Sequence, residues 1–151
     1  MDIKDIVFGK TIFVGIGNIM RRDDGLGPAL IAMIHGHIPH MCIDAGTTPE
    51  NHTRALIKEK PDTIIFIDAV SMGRSPGQYA VLEKDQILMT GFSTHDLSAN
   101  MLIEYLSAQT NARFFMIGVQ PESTAFGPEI STPVKQTLNA LASRIKEAVH
   151  A

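Results

Sequence analysis

The sequence predicts an α/β fold: one domain, residues 1–151, with a mostly parallel sheet carrying helices on both faces. Three observations lead there. Residues 63–70 (TIIFIDAV) and 113–119 (RFFMIGV) are rich in Ile, Phe and Val and lack polar alternation, as strands buried on both faces of a parallel sheet do. Stretches with apolar residues at helical spacing lie between such runs. The turn signal Ser75-Pro76-Gly77 precedes residues 78–83 (QYAVLE), which read as an antiparallel edge strand.

Taken in order, residues 11–15 (TIFVG) form the first expected strand. Residues 25–35 follow as a helix, with Leu26, Leu30 and Ile34 on one face. The second strand is expected at residues 40–44 (HMCID) and a short polar helix at residues 50–58. After the third strand and the edge hairpin, residues 93–108 read as a helix. It opens on a capping-box pattern, Ser93-x-x-Asp96, with Asp in place of the usual Glu or Gln. The last helix has Thr132 as its cap and Pro133 in its first turn. Val134, Leu138, Leu141, Ile145 and Val149 form its apolar stripe.

A chain of 151 residues buries a core without disulfides or structural metal. The net charge of −3 offers no basic face for nucleic acid. Its single cysteine, Cys42, excludes an internal disulfide and, among apolar neighbours, reads as a buried inert thiol. The start, Met1-Asp2-Ile3-Lys4-Asp5, lacks the basic and apolar pattern of a signal peptide. No apolar run reaches the ~18 residues of a membrane span, so membrane insertion is not expected. The Asn51-His52-Thr53 sequon carries no meaning without secretion. The expected setting is the cytoplasm.

Ligands of open α/β sheets bind beyond the carboxyl ends of the strands. The first strand runs there into Gly15-Ile16-Gly17-Asn18 and then Asp23-Asp24-Gly25-Leu26-Gly27. The second ends in Asp44-Ala45-Gly46-Thr47-Thr48 and the third at Asp68, and the helix after the hairpin begins around His95. Each has an ordinary structural reading as well. Asp68 suits a turn cap, and the Asp23-Asp24 pair suits the positive end of the following helix. His95, in a first helical turn, is held toward its neutral, metal-binding form by the same dipole. One imidazole and two carboxylates suit a first-row divalent ion without selecting one.

Two further patterns read differently from their first appearance. Gly15-x-Gly17-x-x-Met20 begins like a dinucleotide fingerprint, but its third position is Met, and Asp23 and Asp24 would repel a pyrophosphate. His35, His37, His40 and Cys42 resemble a metal cluster. They span a helix end, a Gly-Pro loop and a strand whose alternate residues face opposite ways, with no zinc spacing.

The segments Gly15-x-Gly17-Asn18, Asp23-Asp24-Gly25-x-Gly27, Asp44-Ala45-Gly46-Thr47, Ile67-Asp68-Ala69, Ser93-Thr94-His95 and Gly118-Val119-Gln120-Pro121-Glu122 also occur in a known order and spacing. Over nearly its whole length the chain resembles the nickel–iron hydrogenase maturation endopeptidases. The resemblance implies a three-layer α/β/α sandwich around a mixed, mostly parallel five-stranded sheet. It implies a peptidase that removes the C-terminal extension of the hydrogenase large-subunit precursor after nickel insertion, following a basic residue. The nickel is delivered within the substrate, and no organic cofactor is implied. By the same resemblance Asp24, Asp68 and His95 are the metal contacts and catalytic groups, and Asp44, Gly46 and Thr47 touch substrate. Asp23 is expected to cap or support Asp24, with a milder effect when replaced.

Asp at position 24 and the Thr48-Pro49-Glu50-Asn51 stretch look most similar to the branch serving hydrogenase 3 of formate hydrogenlyase. Ala45 departs from the Asp-Gly-Gly of many members, and its methyl restricts the loop. A nickel-binding or chaperone module without catalysis shares the same three ligands and remains the alternative, with a nucleotide-binding module behind it.

Overall fold

A computed structural model describes residues 1–93 and 98–150. Among them, five strands form one sheet: β1 (Thr11–Ile16), β2 (Met41–Gly46), β3 (Thr63–Ala69), β4 (Tyr79–Glu83) and β5 (Arg113–Val119). Their spatial order is β2-β1-β3-β5-β4. The pairs β1–β2, β1–β3 and β3–β5 are parallel, and β4 runs antiparallel to β5 at one edge. All of β1 and β3 is buried, which explains why their sequences show no polar alternation.

Helices cover both faces. Phe13, Ile65 and Ile67 meet α1 (Leu26–Ile34), α5 (Thr132–His150) and the N-terminal Ile3 and Ile6 on one side. Ile12, Val14, Ile64 and Phe66, one residue out of phase along the same strands, meet the other layer. That layer holds Leu56 of α2 (Thr53–Lys58), Ile87 of α3 (Lys84–Thr90) and Leu102, Ile103 and Leu106 of α4 (Ala99–Gln109). The expected apolar stripes hold: Leu26, Leu30 and Ile34 are fully buried, as are Val134, Leu141 and Ile145. None of the described helices is long and apolar enough to cross a membrane.

Local capping revises three expectations. Ser93 does not open the helix read at residues 93–108: α4 starts at Ala99 with Ser98 before it, and Asp96 lies outside the described residues. The segment at 50–58 begins as a 3₁₀ turn, Pro49–His52, before α2. At α5 the Ser131 carbonyl accepts from the Lys135 N–H at 2.9 Å, so the cap is Ser131 and Thr132 is already helical. Helix α3 has no apolar stripe in its sequence. It is nucleated by a reciprocal box in which the Gln86 side chain accepts from the Glu83 N–H at 2.9 Å.

Candidate active site

The site is built where α1 begins. A Cβ on Gly27 would lie 2.4 Å from the Ile16 carbonyl oxygen and 2.5 Å from that of Ile67. One on Gly15 would lie 2.6 Å from the Gly27 carbonyl oxygen. Only glycine at both positions lets the first turn of the helix rest on the backbone of β1 and β3. Gly17, at φ +149°, turns the chain so tightly that a Cβ there would collide with the Asp24 carbonyl. The glycines that imitate a dinucleotide fingerprint are thus filled by the protein's own backbone. They carry the acidic pair onto the ends of the central strands.

Asp24 enters a cleft of about 530 Å³ whose walls include Ala69, Val70, Ser93, Pro121 and Thr124. It is 8% exposed, and one of its oxygens, Oδ2, accepts from the Asn18 N–H at 2.9 Å. Asp68, at the end of β3, is fully buried beside it. Its Oδ1 accepts from the Ala69 N–H at 2.9 Å and the Ser93 hydroxyl at 2.5 Å, and its Oδ2 from the Ser93 N–H at 2.7 Å. Burial pushes the Asp68 carboxyl up to about 7, the Ser93 bonds oppose this, and the nearby Asp24 charge adds to the rise. The two carboxylates therefore share one electrostatic site. Among the described residues, Asp68 Oδ2 accepts from the Ser93 N–H alone, and a cation near the pair would offset both their repulsion and the cost of burial. Two carboxylate donors suit a divalent cation without selecting one.

The third expected ligand, His95, lies outside the described residues. Among the described residues, no three His, Cys, Asp or Glu side chains gather as a metal-binding group. Asp44, Gly46 and Thr47 lie on the other side of β1 and do not line the Asp24 cleft. Asp44 is exposed and accepts from the Gly46 N–H at 3.1 Å, while the Gly46 carbonyl accepts from Gly17 at 2.9 Å. This stretch braces the glycine turn. The Ala45 methyl is buried against Ile16 and its neighbours at a shift in the β1–β2 register.

Sequence reading missed Ser93 as the partner of Asp68, because a Ser-x-x-Asp pattern looks like a helix cap wherever it occurs. Gln120 was also unassigned. Its Oε1 accepts from Met72 N–H at 2.6 Å and Arg74 N–H at 3.3 Å, holding the turn after β3. The histidine-rich stretch lies at the opposite end of the sheet, before β2. There His40 accepts from Thr11 N–H at 3.3 Å and packs edge-on against Phe13. Cys42 is half-buried, and burial raises its thiol to about 11, which keeps it protonated and unreactive.

The family model described as "Hydrogenase maturation protease" (HycI) matches residues 30–148. Hydrogenase 3 maturation protease of Escherichia coli K12 is 30% identical over 139 residues, covering 89% of this chain and 88% of that protein. A putative hydrogenase maturation protease of Methanocaldococcus jannaschii is 29% identical over 150 residues, covering 93% and 88%. The crystal structure of the maturation protease HycI from Thermococcus kodakarensis KOD1 superposes with a TM-score of 0.88 at 28% identity, over 98% of both chains. The family model leaves out Asp24, whereas the superposed fold spans nearly the whole chain. With this fold, a carboxylate pair at the strand ends and these matches, the chain belongs to the hydrogenase maturation proteases, endopeptidases that cleave the C-terminus of a hydrogenase large-subunit precursor.

Proposed function

We propose that the chain processes the large subunit of a hydrogenase 3-type enzyme and does so only once nickel is in place. In this reading Asp24, Asp68 and His95 complete the coordination of the nickel that the precursor carries. Nickel held in the substrate supplies Lewis acidity at the scissile peptide bond. The observation that supports it best is the placement of the two acids: Asp24 lines an open cleft, and Asp68 lies buried beside it, bonded through both oxygens to Ser93 of the same cleft. Such a pair is costly to maintain, and an incoming dication relieves that cost.

The protein's own contribution is orientation. Ser93 and Ala69 fix the plane of the Asp68 carboxylate, and Asn18 fixes that of Asp24. An empty precursor lacks the cation that both groups face, so it docks poorly. The exposed side chains of Ile19, Met20 and Phe126 stand on the loops around Asp24 and offer a protein-sized substrate apolar contact. Family membership favours this reading over a nickel chaperone without catalysis, which would hold the precursor and leave its tail intact.

The test is the mass of the large subunit after incubation with nickel-loaded and nickel-free precursor. Tail removal is expected from the loaded form alone. Asp24→Asn, Asp68→Asn and His95→Ala are each expected to lower processing by at least about a hundred-fold while the protein stays folded. Equal cleavage of empty and loaded precursor would discard the nickel check, and full activity in a folded His95→Ala variant would remove that ligand.

A further inference from the structure

Asp23 is a stronger element of the site than its position beside Asp24 suggests. Arg22–Gly25 form a 3₁₀ turn, in which successive side chains stand about 120° apart. Asp24 faces the cleft, and Asp23 points away from it into the protein, where it is fully buried. Its Oδ1 accepts from the Ser131 N–H at 2.7 Å. Its Oδ2 accepts from the Ser131 hydroxyl and from the Glu122 N–H, each at 2.8 Å. Its own N–H donates to the Ser123 carbonyl at 3.1 Å.

These bonds join the 3₁₀ turn to the loop before α5, beside the Arg21 Nε, which donates to the Thr124 carbonyl at 3.1 Å. The same seam continues through Arg22 N–H to the Gly127 carbonyl at 2.6 Å and Gly127 N–H to the Met20 carbonyl at 2.8 Å. Arg22 sits at φ +46° in this seam, a conformation that non-glycine residues adopt only when their surroundings impose it. Glu122 and Ser123, which Asp23 holds, lie in sequence between Pro121 and Thr124, which line the same cleft as Asp24. One buried carboxylate thereby ties the backbone that carries Asp24 to the loop that supplies Pro121 and Thr124 to the same cleft. A helix cap alone would need only the Ser131 end, where the carboxylate also meets the positive end of α5.

We propose that Asp23 is a positioning residue: it sets the separation between Asp24 and the Pro121–Thr124 wall, and so acts on turnover through Asp24. This rests on the reading of Asp24 given above. It gives the supporting role expected for Asp23 from sequence a definite form, with a larger effect than the mild one expected there.

The experiment uses the full chain with nickel-loaded precursor and two independent readouts, steady-state processing and amide hydrogen exchange. In folded Asp23→Ala, kcat is expected to fall by at least about ten-fold while KM stays within about three-fold. Exchange at the Asn18 amide, which donates to Asp24, is expected to speed up by about ten-fold or more. Asp23→Asn keeps one acceptor oxygen and recovers part of both losses. Wild-type kcat, a loss carried by KM alone, or a kcat loss with Asn18 exchange unchanged would each overturn the proposal. If Asp23→Ala does not fold, Ser131→Ala, which removes a single donor, is read in the same way and expected to show smaller changes of the same sign. An Asp24→Asn variant that processes normally would sink the reading of Asp24 instead, and the Asn18 exchange comparison would still report on the clamp.

Discussion

Asp68 shows how a single residue reads differently in the chain and in the fold. At the end of an apolar run it suits a turn cap, and it does accept the Ala69 N–H as such a cap would. What the run conceals is complete burial beside a second carboxylate, with a serine from a distant part of the chain bonded to both oxygens. Between its ordinary value of 3.8 and about 7, folded Asp68 keeps a proton that the unfolded chain has released. Its contribution to stability is therefore fully present below 3.8 and is lost as pH rises through about 7. The urea midpoint of the isolated protein is expected to fall, relative to that of Asp68→Asn, as pH rises from about 5 to about 8. A constant difference across that range would show that Asp68 titrates like an exposed carboxyl.

At the scale of elements, the decisive contact is the seat of α1 on β1 and β3. The helix was legible from Leu26, Leu30 and Ile34, but its register on the sheet depends on Gly15 and Gly27, which show no apolar pattern. A methyl on Gly27 meets carbonyl oxygens of two central strands, neither of which can move without breaking the sheet. Gly27→Ala is expected to destabilise by about 2–4 kcal/mol and to lower processing well beyond its effect on folding, because the turn bearing Asp24 is lifted. Thermal melts and activity measured well below the midpoint separate the two effects. A variant with wild-type midpoint would contradict the close seat. Helix α3 marks the other limit: its sequence carries one core residue, Ile87, and a local box, too little signal to announce a helix.

Over the whole molecule, function is separated by the direction of the strands. Asp24 and Asp68 stand at the carboxyl ends of the central strands. The stretch from His35 to Cys42 lies at the far end of α1, where β2 begins. Replacing His35, His37 and His40 together with alanine is expected to leave nickel-dependent processing within about two-fold of wild type, at some cost in stability from the His40 contacts with Thr11 and Phe13. Loss of activity in the folded triple variant would return the stretch to consideration as a metal site.

The sequence by itself determined the layered fold, because continuous apolar strands and striped helices can bury their surfaces in few other ways. It also marked the Asp23-Asp24 pair and Asp68, since they fall where strands end in such a fold, and the family resemblance picked Asp24 from the pair. Tertiary structure alone showed where each carboxylate of the pair points. Two adjacent aspartates are equivalent in a string of letters. The 3₁₀ turn sends Asp24 to the cleft and Asp23 to Ser131 and Glu122. The partners that distinguish them arrive from the far half of the chain, beyond the reach of any local pattern.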